Sequence, residues 1–221
     1  MKSIMLSAAL LLAQPVLALA QSAPPPRAPP PRTLPSNMQG KTQAALATYN
    51  LLASGTPIEQ HQALNAATEA GVTCELADGA IASDVRRGGV HTIVYEVACK
   101  DNLGWLVTKA GDKVSAFDCL ALMSSAKVDK KVPTCRLAAN AEPALGLVGL
   151  TRKAGVACKP EDGAFLGGGG QPPISRYEVR CAENSGYIID APQPKSTAQL
   201  QTFPCADTAR AGLTCTLKPK S

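Results

Sequence analysis

Eight cysteines fall into two sets of four, and each set sits in the same framework of neighbours. Ala70-Gly71-Val72-Thr73-Cys74, Tyr95-Glu96-Val97-Ala98-Cys99, Phe117-Asp118-Cys119 and Thr134-Cys135-Arg136-Leu137 return as Ala154-Gly155-Val156-Ala157-Cys158, Tyr177-Glu178-Val179-Arg180-Cys181, Phe203-Pro204-Cys205 and Thr214-Cys215-Thr216-Leu217. A chain duplicated in this way builds one unit twice, with equivalent cysteines in equivalent bonds. Eight cysteines allow 105 pairings; confining bonds to each repeat leaves nine, and requiring the repeats to match leaves three.

Hairpin symmetry chooses among the three. Opposed residues of an antiparallel hairpin lie equally far from its turn. Cys74 and Cys99 are centred between Arg86 and Arg87, beside Gly88-Gly89, and Cys158 and Cys181 are centred between Gly169 and Gly170. Both midpoints fall at glycine-rich turn signals. The expected bonds are Cys74–Cys99 and Cys158–Cys181, which leaves Cys119 with Cys135 and Cys205 with Cys215. Each contributes about 2–4 kcal/mol.

The first twenty residues carry one positive charge, Lys2, an apolar stretch from Ile4 to Ala13, and Ala18-Leu19-Ala20 before Gln21. This pattern reads as a secretory signal peptide over 1–20. The apolar run is too short to span a bilayer and no other run reaches about 18 residues. An even cysteine count after such a signal reads as a disulfide framework in an oxidising compartment, so the expected location is periplasmic or secreted. Loss of Lys2 takes the 22 basic side chains to 21 against 17 acidic ones, a net of +4. That charge suits loose contact with anionic envelope surfaces and falls short of the basic stripe that nucleic acid requires.

Residues 21–37 form a proline-rich linker. Ala23-Pro-Pro-Pro-Arg27 is followed directly by Ala28-Pro-Pro-Pro-Arg32, a polyproline II spacer of about 3.1 Å per residue. An N-terminal helical segment is expected over 38–63, with one helix from Lys41 to Ser54. A second helix starts at the capping box of Thr56-Pro57-Ile58-Glu59 and runs to about Ala70, with Gly71 as its stop. Repeat module 1 spans 64–139, repeat module 2 spans 140–217, and 218–221 is a short tail.

In the second repeat a helix is expected from Glu142 to Lys153. Alternation then predicts strands over His91 to Cys99 and Ser175 to Cys181, each followed by a polar turn and a second strand that opens on Trp105 or Tyr187. Six of the eight aromatic residues occupy equivalent positions (Tyr95/Tyr177, Trp105/Tyr187, Phe117/Phe203), as core anchors would. The expected fold class is α+β: two tandem modules, each a helix packed on a short antiparallel sheet with two disulfides. Units of about 75 residues are small enough for such staples to matter.

The chain offers little that points to catalysis. His61 and His91 lack counterparts in the other repeat. H-E-x-x-H, G-x-S-x-G and C-x-x-C do not occur in the sequence, so no catalytic residue, metal site or cofactor is implied. Glu96 and Glu178 are equivalent acids on the strand face opposite the tyrosines, where a half-exposed strand meets solvent; as a converging pair they could do acid–base work. Gly167 to Gly170 lacks the Lys-Ser/Thr of a phosphate loop and reads as a hairpin tip. The candidate binding residues are Arg86 and Arg87 at one tip and Phe165 and Leu166 at the other.

The Y-E-V-x-C, G-W/G-Y, C and T-C-x-L signature from Leu64 to Leu217 resembles tandem disulfide-repeat exported proteins of Gram-negative bacteria, a resemblance that implies no activity. In architecture alone the tandem modules are also similar to the β-lactamase inhibitory protein. The expected function is that of a noncatalytic periplasmic binding protein whose partner is an envelope or periplasmic protein. The alternatives are an enzyme inhibitor that uses hairpin-tip loops and, less favoured, a hydrolase with carboxylates between the repeats.

Overall fold

The computed structural model describes residues 51–183, 185–208 and 212–217. The signal peptide, the proline-rich linker, most of the helix expected over 41–54 and the tail at 218–221 lie outside the described residues. Residues 51–54 are described and are not helical; Leu52 instead forms a parallel bridge with Leu137, with its N–H donating to the Arg136 carbonyl at 2.7 Å.

Helix α1 (Pro57–Ala70) begins as its sequence dictates. The Glu59 N–H donates to Thr56 Oγ1 at 3.3 Å, and the Thr56 N–H donates to the Glu59 carboxylate at 2.9 Å. Its buried face is made of alanines, Ala63, Ala66, Ala67 and Ala70. Small side chains let the helix axis lie close to a sheet, and α1 does lie against all four strands of the first one. The helix runs without a break through 63 and 64, where a segment boundary was expected.

The sheet consists of β1 (Leu76–Arg87), β2 (Val90–Cys99), β3 (Trp105–Ala110) and β4 (Lys113–Asp118), antiparallel in the order of the chain. Helix α2 (Cys119–Val128) follows at once, capped by Asp118, whose Oδ1 accepts the Ala121 N–H at 2.7 Å. A short 3-10 turn (Ala138–Asn140) then leads to α3 (Pro143–Lys153). A second four-stranded antiparallel sheet is formed by β5 (Pro160–Gly169), β6 (Ile174–Cys181), β7 (Gly186–Pro192) and β8 (Gln201–Pro204), again in chain order. The protein is therefore α+β, with helices, two antiparallel sheets and four disulfides.

The Ala-Gly-Val element has the same role each time. Gly71 (φ 86°) and Gly155 (φ 67°) take the left-handed conformation that ends a helix. Val72 N–H then reaches back to the Ala67 carbonyl at 2.9 Å, and Val156 N–H to Thr151 at 3.0 Å. Each strand that follows carries an Asp-Gly-Ala, and its glycine admits a helix. A Cβ on Gly79 would stand 3.0 Å from Ala63 Cβ, and one on Gly163 would overlap Leu147.

All four disulfides pair as the hairpin argument requires: Cys74–Cys99, Cys119–Cys135, Cys158–Cys181 and Cys205–Cys215. The turn positions differ from those midpoints. Arg87 pairs with Val90, so the first turn is Gly88-Gly89, and Gly169 pairs with Ile174, so the second loop is 170–173. Each long hairpin contains two register shifts, between Leu76/Asp78 and Ile81/Ser83 in the first and between Pro160/Asp162 and Phe165/Gly167 in the second. These bulges insert extra residues in β1 and β5 and push the turn along the chain. They occur at equivalent positions, so the duplication extends to irregularities of the backbone.

One hydrophobic cluster takes residues from both halves. Tyr95, Val97, Trp105 and Val107 of the first sheet share it with Leu147, Leu150, Tyr177, Val179 and Ile189. Helix α2 contacts β5, where Ser124 Oγ accepts the Phe165 N–H at 3.4 Å, and the Tyr177 hydroxyl hydrogen-bonds Asp118. Phe117 departs from the expected core position and is 57% exposed. Strand alternation explains it: Asp118 faces inward opposite Trp105, so its neighbour in β4 faces out.

Candidate functional site

Glu96 and Glu178 do not face solvent; they are 0% and 1% exposed. The segment that returns through the fourth cysteine covers the outer face of β2 or β6 and brings its backbone to the acid. The Glu96 carboxylate accepts N–H bonds from Arg136 at 2.8 and 3.0 Å, from Leu137 at 2.8 Å and from Asn140 Nδ2 at 2.9 Å. Glu178 accepts from Thr216 N–H at 2.7 and 2.8 Å, from Thr216 Oγ1 at 2.7 Å and from Leu217 N–H at 2.8 Å. Each acid thus fastens its own Cys-x-Leu segment.

A carboxylate in this setting is held by opposing effects. Burial disfavours the charged form and N–H donors favour it. For Glu96 burial dominates and raises the pKa above the usual carboxylate range, against the lowering by Arg136, Asn140 and Leu137. Each carboxylate also lies within 4.8 Å of two cysteine sulfurs, Cys119 and Cys135 or Cys205 and Cys215. Those sulfurs are joined as disulfides, so the cluster is a structural clamp of one S–S bond and one carboxylate.

A second buried acid joins the halves. Asp118 and Tyr177 are nearly solvent-free, and burial raises the pKa of both groups, that of Tyr177 to well above its usual value. The Asp118 carboxyl also caps α2, so one side chain ties a helix start in the first half to a strand in the second.

The four candidate binding residues divide into two pairs. Arg86 and Arg87 are exposed at the end of the β1–β2 hairpin, with Val90, 50% exposed, across the turn. His91 and Asp84 stand beside them as a 2.7 Å pair. Phe165 is half-buried against the main core, 5.8 Å from the Tyr177 ring centroid, while Leu166 is exposed. Beyond Leu166 the chain runs through four glycines into Gln171-Pro172-Pro173; a Cβ on Gly167 or Gly169 would meet nothing within 4 Å, as also at Gly88 and Gly89, whereas one on Gly168 would stand 2.8 Å from Gln193 Nε2. The two tips thus differ in chemistry, guanidinium on one and a glycine-rich backbone with an aliphatic side chain on the other. His61 lies on the exposed face of α1, its Nδ1 3.3 Å from Asn65 Nδ2.

Two cavities open on the second half. One of about 350 Å³ is bordered by Pro172, Ile174, Asp190, Thr197 and Gln201, with Asp190 held by two bonds from Arg176 at 2.6 and 2.7 Å. The other, about 200 Å³, is bordered by Glu178, Arg180, Gly186, Cys205, Cys215 and Leu217. The recurrent Asp-Gly-Ala at 78–80 and 162–164 is a signal legible in the sequence, whereas the clamp role of the glutamates is set by the segments that cover them.

In comparison with family models, curated proteins and solved structures, no match to this chain was found. No described helix is long and apolar enough to cross a membrane.

Proposed function

We propose that the chain is a noncatalytic binding protein of the bacterial periplasm, exported by its signal peptide and built from two tandem disulfide-stabilised modules, 64–139 and 140–217, each a helix on an antiparallel sheet. The contacts of α1 with β1 to β4 and of α3 with β5 support the modular reading, and four disulfides suit an oxidising compartment.

The observation that carries the functional reading is where the repeats agree and where they differ. Their shared residues, the glutamates, cysteines and helix-stop glycines, are used in holding the fold. Their unlike residues stand at exposed hairpin ends, Arg86-Arg87 against the Gly167 to Gly170 tip. A rigid frame with two dissimilar tips fits recognition of an envelope or periplasmic protein, with the mild positive charge adding loose attraction to anionic surfaces. Cofactor, metal and nucleic acid have no part in this reading.

Crosslinking of the tagged mature protein in intact cells tests it. One saturable protein partner, lost in the R86E/R87E double variant or on deletion of 167–170, is the expected result; a chain that captures no protein overturns it. Inhibition of an envelope enzyme by the Leu166 and glycine tip is the second reading, favoured by the exposed Leu166 and the open space around Gly167 and Gly169.

A further inference from the structure

The two closing disulfides occupy equivalent places in the repeats and have unlike surroundings. Cys119 and Cys135 are buried within a hydrophobic cluster with Ala82, Leu106 and Leu122. Of the hairpin disulfides, Cys181 is fully buried, and Cys74, Cys99 and Cys158, half-buried like Cys205 and Cys215, are packed against the main core. Cys205 and Cys215 are half-buried, belong to none of these clusters and form part of the wall of the 200 Å³ cavity.

We propose that Cys205–Cys215 is a reversible thiol–disulfide exchange site that takes a small thiol or dithiol from solvent, while the other three bonds remain closed. Exchange requires a thiolate to reach a disulfide sulfur in line with the S–S bond, so access decides which bond reacts. The cavity supplies that access. Gly186 helps to keep it open, since a Cβ there would stand 2.9 Å from Cys205 Sγ. The wall also carries the Arg180 guanidinium, which bonds Glu161 at 2.8 Å, and the Glu178 carboxylate, whose oxygens are engaged by Thr216 and Leu217.

With a dithiol the step balances as follows. One thiolate attacks Sγ of Cys205 or Cys215, the S–S bond breaks, and the displaced sulfur leaves as a thiolate that takes up a proton. The second thiol of the reagent then attacks the mixed disulfide. The protein ends as two thiols, the reagent as a cyclic disulfide, and two electrons and two protons have moved to the protein. The bond closes a sequence separation of 10 residues, the smallest of the four, so its loss frees the least chain entropy among them. The bonds from Thr216 and Leu217 to Glu178 keep Cys215 beside Cys205 after reduction, which makes the pair ready to reoxidise.

Folded mature protein is titrated with dithiothreitol, quenched with iodoacetamide and mapped by peptide mass spectrometry, with far-ultraviolet circular dichroism read on the same samples. The expected result is alkylation of Cys205 and Cys215 at a reagent concentration at least about tenfold below that needed for Cys119 and Cys135, with the spectrum unchanged. Simultaneous reduction of both closing bonds, earlier reduction of a hairpin bond, or reduction only together with unfolding overturns the proposal. The outcome is independent of whether the hairpin tips bind a protein.

Discussion

The Glu96 carboxylate accepts the main-chain N–H of Leu137 at 2.8 Å, in a position where neither residue meets solvent. Glu178 and Leu217 repeat the relationship at 2.8 Å. The acid in Y-E-V-x-C and the leucine in T-C-x-L are therefore two halves of one lock, with the fourth cysteine of each repeat held between a carboxylate and a disulfide.

Removal of the lock strands buried donors. Glu96→Ala leaves the Arg136 and Leu137 N–H groups without their acceptor, and Asn140 Nδ2 with only the Val97 carbonyl at 3.0 Å, and is expected to cost about 3 kcal/mol, at about 1–3 kcal/mol for each buried group left unsatisfied. Glu178→Ala should cost less, because Thr216 is exposed and its N–H can turn to water. Urea unfolding of the two variants under oxidising conditions measures the difference, and equal losses would contradict it.

Stability should depend on pH through Glu96 and Asp118. Burial raises both carboxyls above their unfolded value, so between that value, about 4, and the raised one the folded state binds more protons than the unfolded chain. Their contribution is fully present below the unfolded pKa and is lost as pH rises through the folded one. Asp118→Asn keeps a side chain that can cap α2 and hydrogen-bond Tyr177 but does not titrate. Its urea midpoint should fall less than that of the wild type across the same rise in pH; parallel curves would exclude a raised Asp118.

The glycine in each Asp-Gly-Ala is a packing device. Gly163→Ala drives a methyl into Leu147 and should cost about 1–3 kcal/mol, as overpacking does. Leu147→Ala alone opens a cavity and should cost about 2–5 kcal/mol. The double variant is expected to lose less than the sum of the two, since each change relieves the other, and a double-mutant cycle reads the coupling. Strict additivity would place the conflict elsewhere.

The aromatic residues of the first repeat should differ in weight. Phe117→Ser acts on an exposed side chain and is expected to stay within about 0.5 kcal/mol of the wild type. Trp105→Ala empties the shared core and should cost about 3–5 kcal/mol. Thermal melts of both variants check the contrast.

Much of this was legible in the chain. The capping box at Thr56 and the stop at Gly71 depend on neighbours a few residues away, and the disulfide partners follow from duplication with hairpin symmetry. Other features were not legible. Helix α2 occupies a segment longer than the one between Cys205 and Cys215, and its apolar positions are set by packing, Leu122 against Ala82 and Leu106 of its own half and the helix as a whole against β5 of the other. The bulges were invisible because a register shift depends on how a strand meets its partner, so the turn signals marked the right neighbourhood and the midpoints fell short of the turns. Glu96 and Glu178 looked solvent-facing because alternation specifies which face of a strand a residue takes and leaves open what lies on that face.

By itself, the sequence determined local and repeated matters: helix ends, strand alternation, cysteine pairing and the identity of the exposed tips, all of which rest on short-range geometry or on comparison of one repeat with the other. Tertiary structure alone decided that the glutamates are buried locks, that Asp118 and Tyr177 join the halves, and that one closing disulfide is sealed in apolar packing while its equivalent borders a cavity. Burial is a property of what other segments bring to a residue, and the segments concerned arrive from about 40 residues away in the chain at Glu96 and from the opposite repeat at Asp118.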